Sequence, residues 1–354
     1  MNTTFFKQRG IGLVEILVSM AIGLFILAGV VQLYATSTVN AKTVSGAAAI
    51  QENARFAFSR LEQDIKQAGY AGCFSLKSAY PRQYFSEAAD DYMDVVPRYD
   101  QLVTTNAAAG EENDFSMFVS GENDVDIGSL AFDSLTVRYL SAKSRRAVTA
   151  ITGGNQIYAS GLTDFKSGEV AAIADCSRVS FFEIGNTNSP EVDGYVEIAS
   201  GSLGRQYTVA SDSSGTGTAL ESAVAYVYGG DTGGITYSIG TSAAGNALGE
   251  SCSSSSPQYC ALRRNNDELV EGISAFDVEY GWQDVDGKLY FHTADAMNAA
   301  RWFFVDRVRI SATFNSIESA PTNDGSPLLT KTYARTFLMQ NQLPVDYSRL
   351  AAGL

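Results

Sequence analysis

Glu15 is the side chain whose surroundings most demand a chemical account. It carries the one charge between Gly10 and Ala41, and it opens an apolar run over residues 16–31 broken only by Ser19. A carboxylate inside an apolar helix costs about 2.5–3.5 kcal/mol on insertion scales, so it needs a partner. Lys7, Arg9 and Gly10 stand just ahead of it. A cut after Gly10 would free the amine of Ile11 and make Glu15 the fifth residue. Amine and acid four residues apart can pair within one chain or between two staggered chains. Staggered pairing would set the register of a helical stack in a low-dielectric core.

Other candidate chemistry is sparse. The four cysteines, Cys73, Cys176, Cys252 and Cys260, form no C-x-x-C pair, and His292 is the single histidine. A zinc site and a histidine-based triad are therefore not expected. An even cysteine count in an exported chain reads as two disulfides, with three connectivities open. Cys252–Cys260 would clip a short Ser-rich loop, leaving Cys73–Cys176 by elimination. The stretch from Gly281 to Lys288 misses the P-loop spacing by one residue and reads as a hairpin turn. Residues 122–126 (ENDVD) and 284–287 (DVDG) could offer oxygen ligands to Ca²⁺, but neither fits a twelve-residue EF-hand loop, and solvated turns explain both. No catalytic constellation, metal or cofactor is expected.

These residues need elements to position them. Residues 11–36 are long and apolar enough for a membrane helix. Lys7 and Arg9 would hold residues 1–10 in the cytoplasm, with the remainder outside. A cleaved secretory signal is the competing reading, but the apolar run exceeds the usual 7–15 residues and QLYATSTVNAK offers no compelling cleavage site. Over residues 37–70, Val44, Ile50, Ala54, Ala57, Phe58, Leu61, Ile65 and Ala68 recur mostly at steps of three and four, as on one helix stripe. Glu52, Arg55, Arg60, Glu62, Asp64 and Lys66 fill the other faces. No proline precedes Pro81, and Gly69 and Gly72 offer a stop. One continuous helix from residue 11 to about 68 would be roughly 85 Å long.

Beyond Cys73 the period changes to two. Alternation runs through Leu135, Val137 and Tyr139, through Phe276, Val278 and Tyr280, through Val308, Ile310, Ala312 and Phe314, and through Tyr333, Arg335, Phe337 and Met339. AVAYVY and ITYSI around GGDTGG read as a hairpin. Residues 211–218, 240–249 and 251–256 read as surface loops. The expectation is an α+β fold: one long helix packed on a body, residues 71–354, of one or two antiparallel sheets, the last four strands meeting the helix stripe.

Composition supports a packed body. Hydrophobic residues make up 45% and charged residues 18%, which excludes global disorder. Residues 1–70 hold six Lys/Arg and four Asp/Glu, and the rest hold 19 and 35, a net charge of −16 on the body. An acidic body repels phosphate backbones, so nucleic acid is not an expected partner.

Lys7, Arg9, Gly10, Ile11 and Glu15, followed by residues 16–31, resemble the class III signal of type IV prepilins. The 51–73 segment, QENARFAFSRLEQDIKQAGYAGC, resembles the helix end of PilW-type minor pilins, and ADCSR, LVEGISAFDVEYG and VDRVRIS are similar to later parts of that family. The likeness covers the first 75 residues well, 267–340 fairly and 80–260 only in patches. It implies cleavage between Gly10 and Ile11 by a prepilin peptidase, N-methylation of Ile11 and an assembly role for Glu15. It also implies a single-pass inner-membrane protein with a periplasmic body, later part of a pilus, with other minor pilins, a major pilin and a tip adhesin as partners. Two departures stand out: the family usually has Phe or Met at the position of Ile11, and major pilins often have Pro at that of Gln32. A minor pseudopilin of type II secretion shares the layout, and a membrane-anchored envelope enzyme is a remoter alternative.

Overall fold

The computed structural model describes residues 12–72, 103–105, 118–175, 179–203, 207, 209, 225–229, 234–283, 287–297, 299–319 and 327–342. Its dominant element is one helix, α1 (Leu13–Gln67), of 55 residues. No proline or early glycine pair interrupts its hydrogen-bond ladder. It stops where the Ala68 N–H turns back to the Ile65 carbonyl and Gly69 adopts a φ of 72°. That left-handed conformation suits glycine.

The strands follow in chain order as β1 (Val103–Thr105), β2 (Val119–Ser120), β3 (Val125–Ile127), β4 (Leu130–Phe132), β5 (Leu135–Val137), β6 (Arg146–Thr152), β7 (Gln156–Ala159), β8 (Val170–Ala174), β9 (Val179–Glu183), β10 (Tyr195–Glu197), β11 (Tyr226–Tyr228), β12 (Ile235–Thr241), β13 (Cys260–Arg264), β14 (Asp267–Glu271), β15 (Ile273–Gln283), β16 (Leu289–His292), β17 (Arg307–Asn315) and β18 (Thr330–Leu338). Among the described residues they form a seven-stranded sheet (β1-β9-β8-β11-β6-β7-β10), a five-stranded sheet (β14-β13-β12-β5-β2), a four-stranded sheet (β16-β15-β17-β18) and a ribbon (β3-β4). Pairing is antiparallel except between β1 and β9. The α+β expectation of one long helix on an antiparallel body holds. The body has three sizeable sheets rather than one or two.

The four-stranded sheet is the best anticipated part. Phe276, Val278, Tyr280, Val308, Ile310, Ala312, Phe314 and Phe337 are buried, as their period-two spacing requires. Arg335 stays exposed and lays its guanidinium over the Phe58 ring, 5.5 Å from the centroid. The main core joins this sheet, the α1 stripe from Ile50 to Ala68, and the inner face of the five-stranded sheet. Two further clusters occupy the seven-stranded sheet.

Two local readings are corrected. AVAYVY and ITYSI do not pair. Tyr226–Tyr228 lies between β8 and β6, whereas Ile235–Thr241 lies between β13 and β5. Each strand instead sits between two others, and a lone two-strand ribbon is only marginally stable in water. Residues 240–249 are not simply a loop. Gly240 and Thr241 finish β12, and Ala243–Leu248 forms a short helix capped by Ser242, whose Oγ accepts from the Gly245 N–H. The 251–256 stretch is a loop, and 211–218 lies outside the described residues.

Candidate functional site

The functional element is α1, and its two halves are built differently. Residues 12–42 are exposed without exception, including Leu13, Leu17, Ile22, Phe25, Leu27, Val31 and Leu33. The helix is long and apolar enough to cross a membrane by length and composition. Residues 13–33 rise about 31 Å, close to the roughly 30 Å of a bilayer's hydrocarbon core. Hydrophobic side chains on every face cannot be satisfied by packing on one side of a soluble body.

Glu15 sits in the first turn of α1, its N–H donating to the Gly12 carbonyl at 2.9 Å. A carboxylate there is favoured by the positive end of the helix dipole. Among the described residues it has no cationic partner. Ser19 donates its hydroxyl to the Glu15 carbonyl at 2.7 Å, so that hydroxyl is satisfied without water. Gly10 and Ile11 lie outside the described residues.

The second half docks on the body. Phe58 is buried and stacks on Phe337 at 6.0 Å, with Phe314 at 6.3 Å. Val44, assigned to the stripe by spacing, is 69% exposed, and the continuous buried face begins at Ile50. Asp64 is the larger surprise. Its charge put it on an outer face, yet it is buried. Asp64 Oδ2 accepts from Tyr237 OH at 2.6 Å and Arg264 Nε at 2.7 Å, and Oδ1 accepts from Tyr139 OH at 3.1 Å. The donors come from β12, β13 and the segment just after β5, so the five-stranded sheet grips α1 about 120° around the helix from Phe58. Burial first, and then the Asp64 charge, push the Tyr139 hydroxyl up to about 12. The Tyr237 hydroxyl is pushed up for the same reasons, chiefly burial. The signal available in the sequence was position: Asp64 lies three residues after Leu61 and next to Ile65, within the apolar arc.

The exit from α1 is also fixed. Asn341 Nδ2 donates toward the carbonyls of Lys66, Gln67 and Ala68 at 3.3–3.4 Å. The Gly69 N–H donates to the Arg138 carbonyl, and the Leu140 N–H to the Tyr70 carbonyl. Asn53 Nδ2 reaches the Glu271 carbonyl at 3.2 Å. The helix direction is thus defined at both ends of its docked half.

Cys252 and Cys260 are joined, as their spacing suggested. Cys73 and Cys176 lie outside the described residues. His292 ends β16 and stacks on Trp282 at 5.3 Å. In the 122–126 turn, Asp124 has a φ of 53° and its N–H donates to Asp133 Oδ1, while Asp133 Oδ2 accepts from the Val278 N–H. Asp133 thus serves as a backbone clamp, and burial raises its pKa. Among the described residues no group of three or more His, Cys, Asp or Glu is placed to hold a metal. The 281–288 stretch lies in the β15–β16 hairpin, with Tyr280 opposite His292 and residues 284–286 outside the described set.

Residues 5–31 match the prokaryotic N-terminal methylation motif. No curated protein and no solved structure matches the chain. The motif and the exposed apolar helix together support a type IV pilin-like or pseudopilin protein, one processed by prepilin peptidase, assembled with other pilins and anchored in the inner membrane.

Proposed function

We propose that this chain is a minor pilin that helps initiate type IV pilus assembly, in a priming complex at the pilus tip with other minor pilins, the major pilin and an adhesin. The observation that carries the reading is the exposed apolar half of α1 with Glu15 in its first turn, lying within the methylation-motif match. Prepilin peptidase cuts between Gly10 and Ile11 and the new Ile11 amine is methylated. Before assembly the helix holds the protein in the inner membrane with its body in the periplasm. On assembly the Ile11 amine of one subunit meets the Glu15 carboxylate of another, and burial away from water sharpens the attraction. The bulk of residues 71–354 on one helix suits a subunit used once or a few times, not one repeated along a filament. The likeness of residues 51–73 to PilW-type pilins points the same way.

A minor pseudopilin of type II secretion is the second reading, and the methylation motif favours it equally. Gene deletion separates the two: the pilus reading expects lost twitching and surface pili, and the pseudopilin reading expects lost protein export. The test of the shared premise is Glu15→Gln in the full-length protein. Pili should be lost while the protein stays in the membrane. A full complement of pili from that variant would overturn the assembly role.

A further inference from the structure

β18 closes the four-stranded sheet on one side and runs for nine residues. The other edges of the three sizeable sheets, β1, β10, β14, β2 and β16, span five residues or fewer. A short edge limits pairing with other chains, and a long one is a template for it. The register says which backbone groups of β18 are open. The Ser316 N–H donates to the Leu329 carbonyl and the Met339 N–H to the Asp306 carbonyl, both at 2.8 Å. These two bonds bracket the β17–β18 ladder, and bonded pairs alternate along an antiparallel ladder. Ala312–Tyr333 and Ile310–Arg335 are thus bonded pairs. Thr332, Ala334, Thr336 and Leu338 turn their N–H and C=O groups the other way, off the sheet. All four residues are exposed, and among the described residues nothing bonds to those groups.

The side chains show what kind of chain fits there. β18 carries Lys331 and Arg335, both exposed, and no acid. Each cation lies over a ring, Lys331 over Tyr333 and Arg335 over Phe58, and among the described residues neither has a carboxylate in an ion pair. Two copies of β18 set edge to edge would gather four cations and no carboxylate, and like charges across a strand pair repel. A lysine on an edge strand guards against that kind of pairing. It does not guard against an acidic segment. The other face of the strand offers Thr332, Ala334, Thr336 and Leu338, which suit β-branched or apolar neighbours across the pair.

We infer that the β18 edge takes an added strand from a partner protein, an extended segment with Asp or Glu at alternate positions and β-branched residues between them. Main-chain bonds to Thr332, Ala334 and Thr336 hold the added strand, and Lys331 and Arg335 select it. This surface is separate from Glu15 and depends on neither pilin reading. The test uses the full-length protein in detergent and two fluorescein-labelled peptides long enough to span β18, one alternating Glu and Val, the other Lys and Val. The acidic body attracts the lysine peptide in bulk, so a preference for the glutamate peptide has to come from a local site. Fluorescence anisotropy should show the glutamate peptide binding roughly tenfold tighter, as two favourable charge pairs against two unfavourable ones allow. Lys331→Glu combined with Arg335→Glu should reverse that order. Ala334→Pro should abolish binding of both peptides, because it removes an N–H that the β17 ladder does not use. Circular dichroism checks that this variant stays folded, and if it does not, the charge-reversed variant decides alone. No binding of the glutamate peptide, equal binding of the two, or binding indifferent to the substitutions would overturn the proposal. Dimerisation of the protein by itself, lost in Ala334→Pro, would overturn it in favour of a second copy.

Discussion

Asp64 and Arg264, 200 residues apart in the chain, meet at 2.7 Å between Oδ2 and Nε. The Asp64 side chain is 7% exposed and that of Arg264 25%. Removing one member of a buried pair leaves the other's charge stranded and costs about 3–5 kcal/mol. Asp64→Ala should destabilise the full-length protein in detergent by about 3 kcal/mol, and Arg264→Met by somewhat less, since Arg264 keeps access to water. The double variant should lose clearly less than the two single losses combined, because the pair is coupled. Urea unfolding of all four proteins measures this, and additive losses would show the pair to be energetically idle.

The same cluster should respond to alkali. The Tyr139 hydroxyl titrates at about 12 in the folded protein, against about 10 when unfolded. A raised pKa means the fold favours the neutral form. Its contribution is full below pH 10 and is lost as pH rises from 10 through 12. Tyr139→Phe should therefore flatten the fall in stability across that window without abolishing it, since Tyr237 is shifted in the same direction. Denaturation midpoints of the two proteins between pH 9 and pH 12 check this.

Why Asp64 escaped a reading by residue type, while its neighbours did not, is a matter of what a pattern can encode. Ile50, Ala54, Ala57, Phe58, Leu61 and Ile65 announce a buried arc because apolar burial is additive and local. A buried acid is favourable only if distant donors converge on it, and Tyr139, Tyr237 and Arg264 are 75, 173 and 200 residues away. The failed hairpin has a similar cause. GGDTGG signals a change of direction, but pairing is decided by the strands' long-range partners. β8, VAAIA, is buried at every position and so shows no alternation to read. Strands β15 and β17, buried on one face and less so on the other, were legible for the complementary reason. Glu15 needed no fold at all, since a charge amid apolar residues is visible in sequence alone.

Phe58 anchors α1 to the four-stranded sheet through Phe314 and Phe337. It is 2% exposed. Phe58→Ala should cost about 3–5 kcal/mol from lost burial and the cavity left behind. It should also increase hydrogen exchange along residues 50–67, leaving the Asp64 cluster, the Asn53 and Asn341 contacts and the remaining apolar stripe to hold the helix. Exchange measured on the full-length variant by mass spectrometry reports both effects, and unchanged protection would mean that the helix docks without the Phe58 contacts.

The Cys252–Cys260 bridge closes a short loop whose Cys252 carbonyl lies close to Gly128 in the β3–β4 turn. In the chain-entropy model a loop of this size contributes about 2.5 kcal/mol. Replacing both cysteines by alanine should lower stability by about that much and expose the β3–β4 ribbon to limited proteolysis. The four-stranded sheet, held by its own β15–β17–β18 ladder, should keep its protection. Cleavage within β17 instead would place the bridge at the centre of the fold.

Anchoring and assembly make opposite demands on Glu15, and one substitution separates them. In the membrane an unpaired carboxylate disfavours insertion by about 2.5–3.5 kcal/mol, so Glu15→Gln should hold the helix in the bilayer at least as well as the native residue. In a filament the acid is what a neighbour's amine would seek, and glutamine offers no charge to it. The expected outcome is therefore a variant recovered fully in the membrane fraction, with its body folded, that no longer co-purifies with other pilins. Glu15→Asp keeps the charge and shortens its reach by one methylene, so it should restore part of that association. Co-purification from detergent-solubilised membranes, alongside membrane fractionation, reads the two demands independently. If Glu15→Gln left the membrane and the pilin complex together, the acid would be acting on insertion, and its role in register would have to be abandoned.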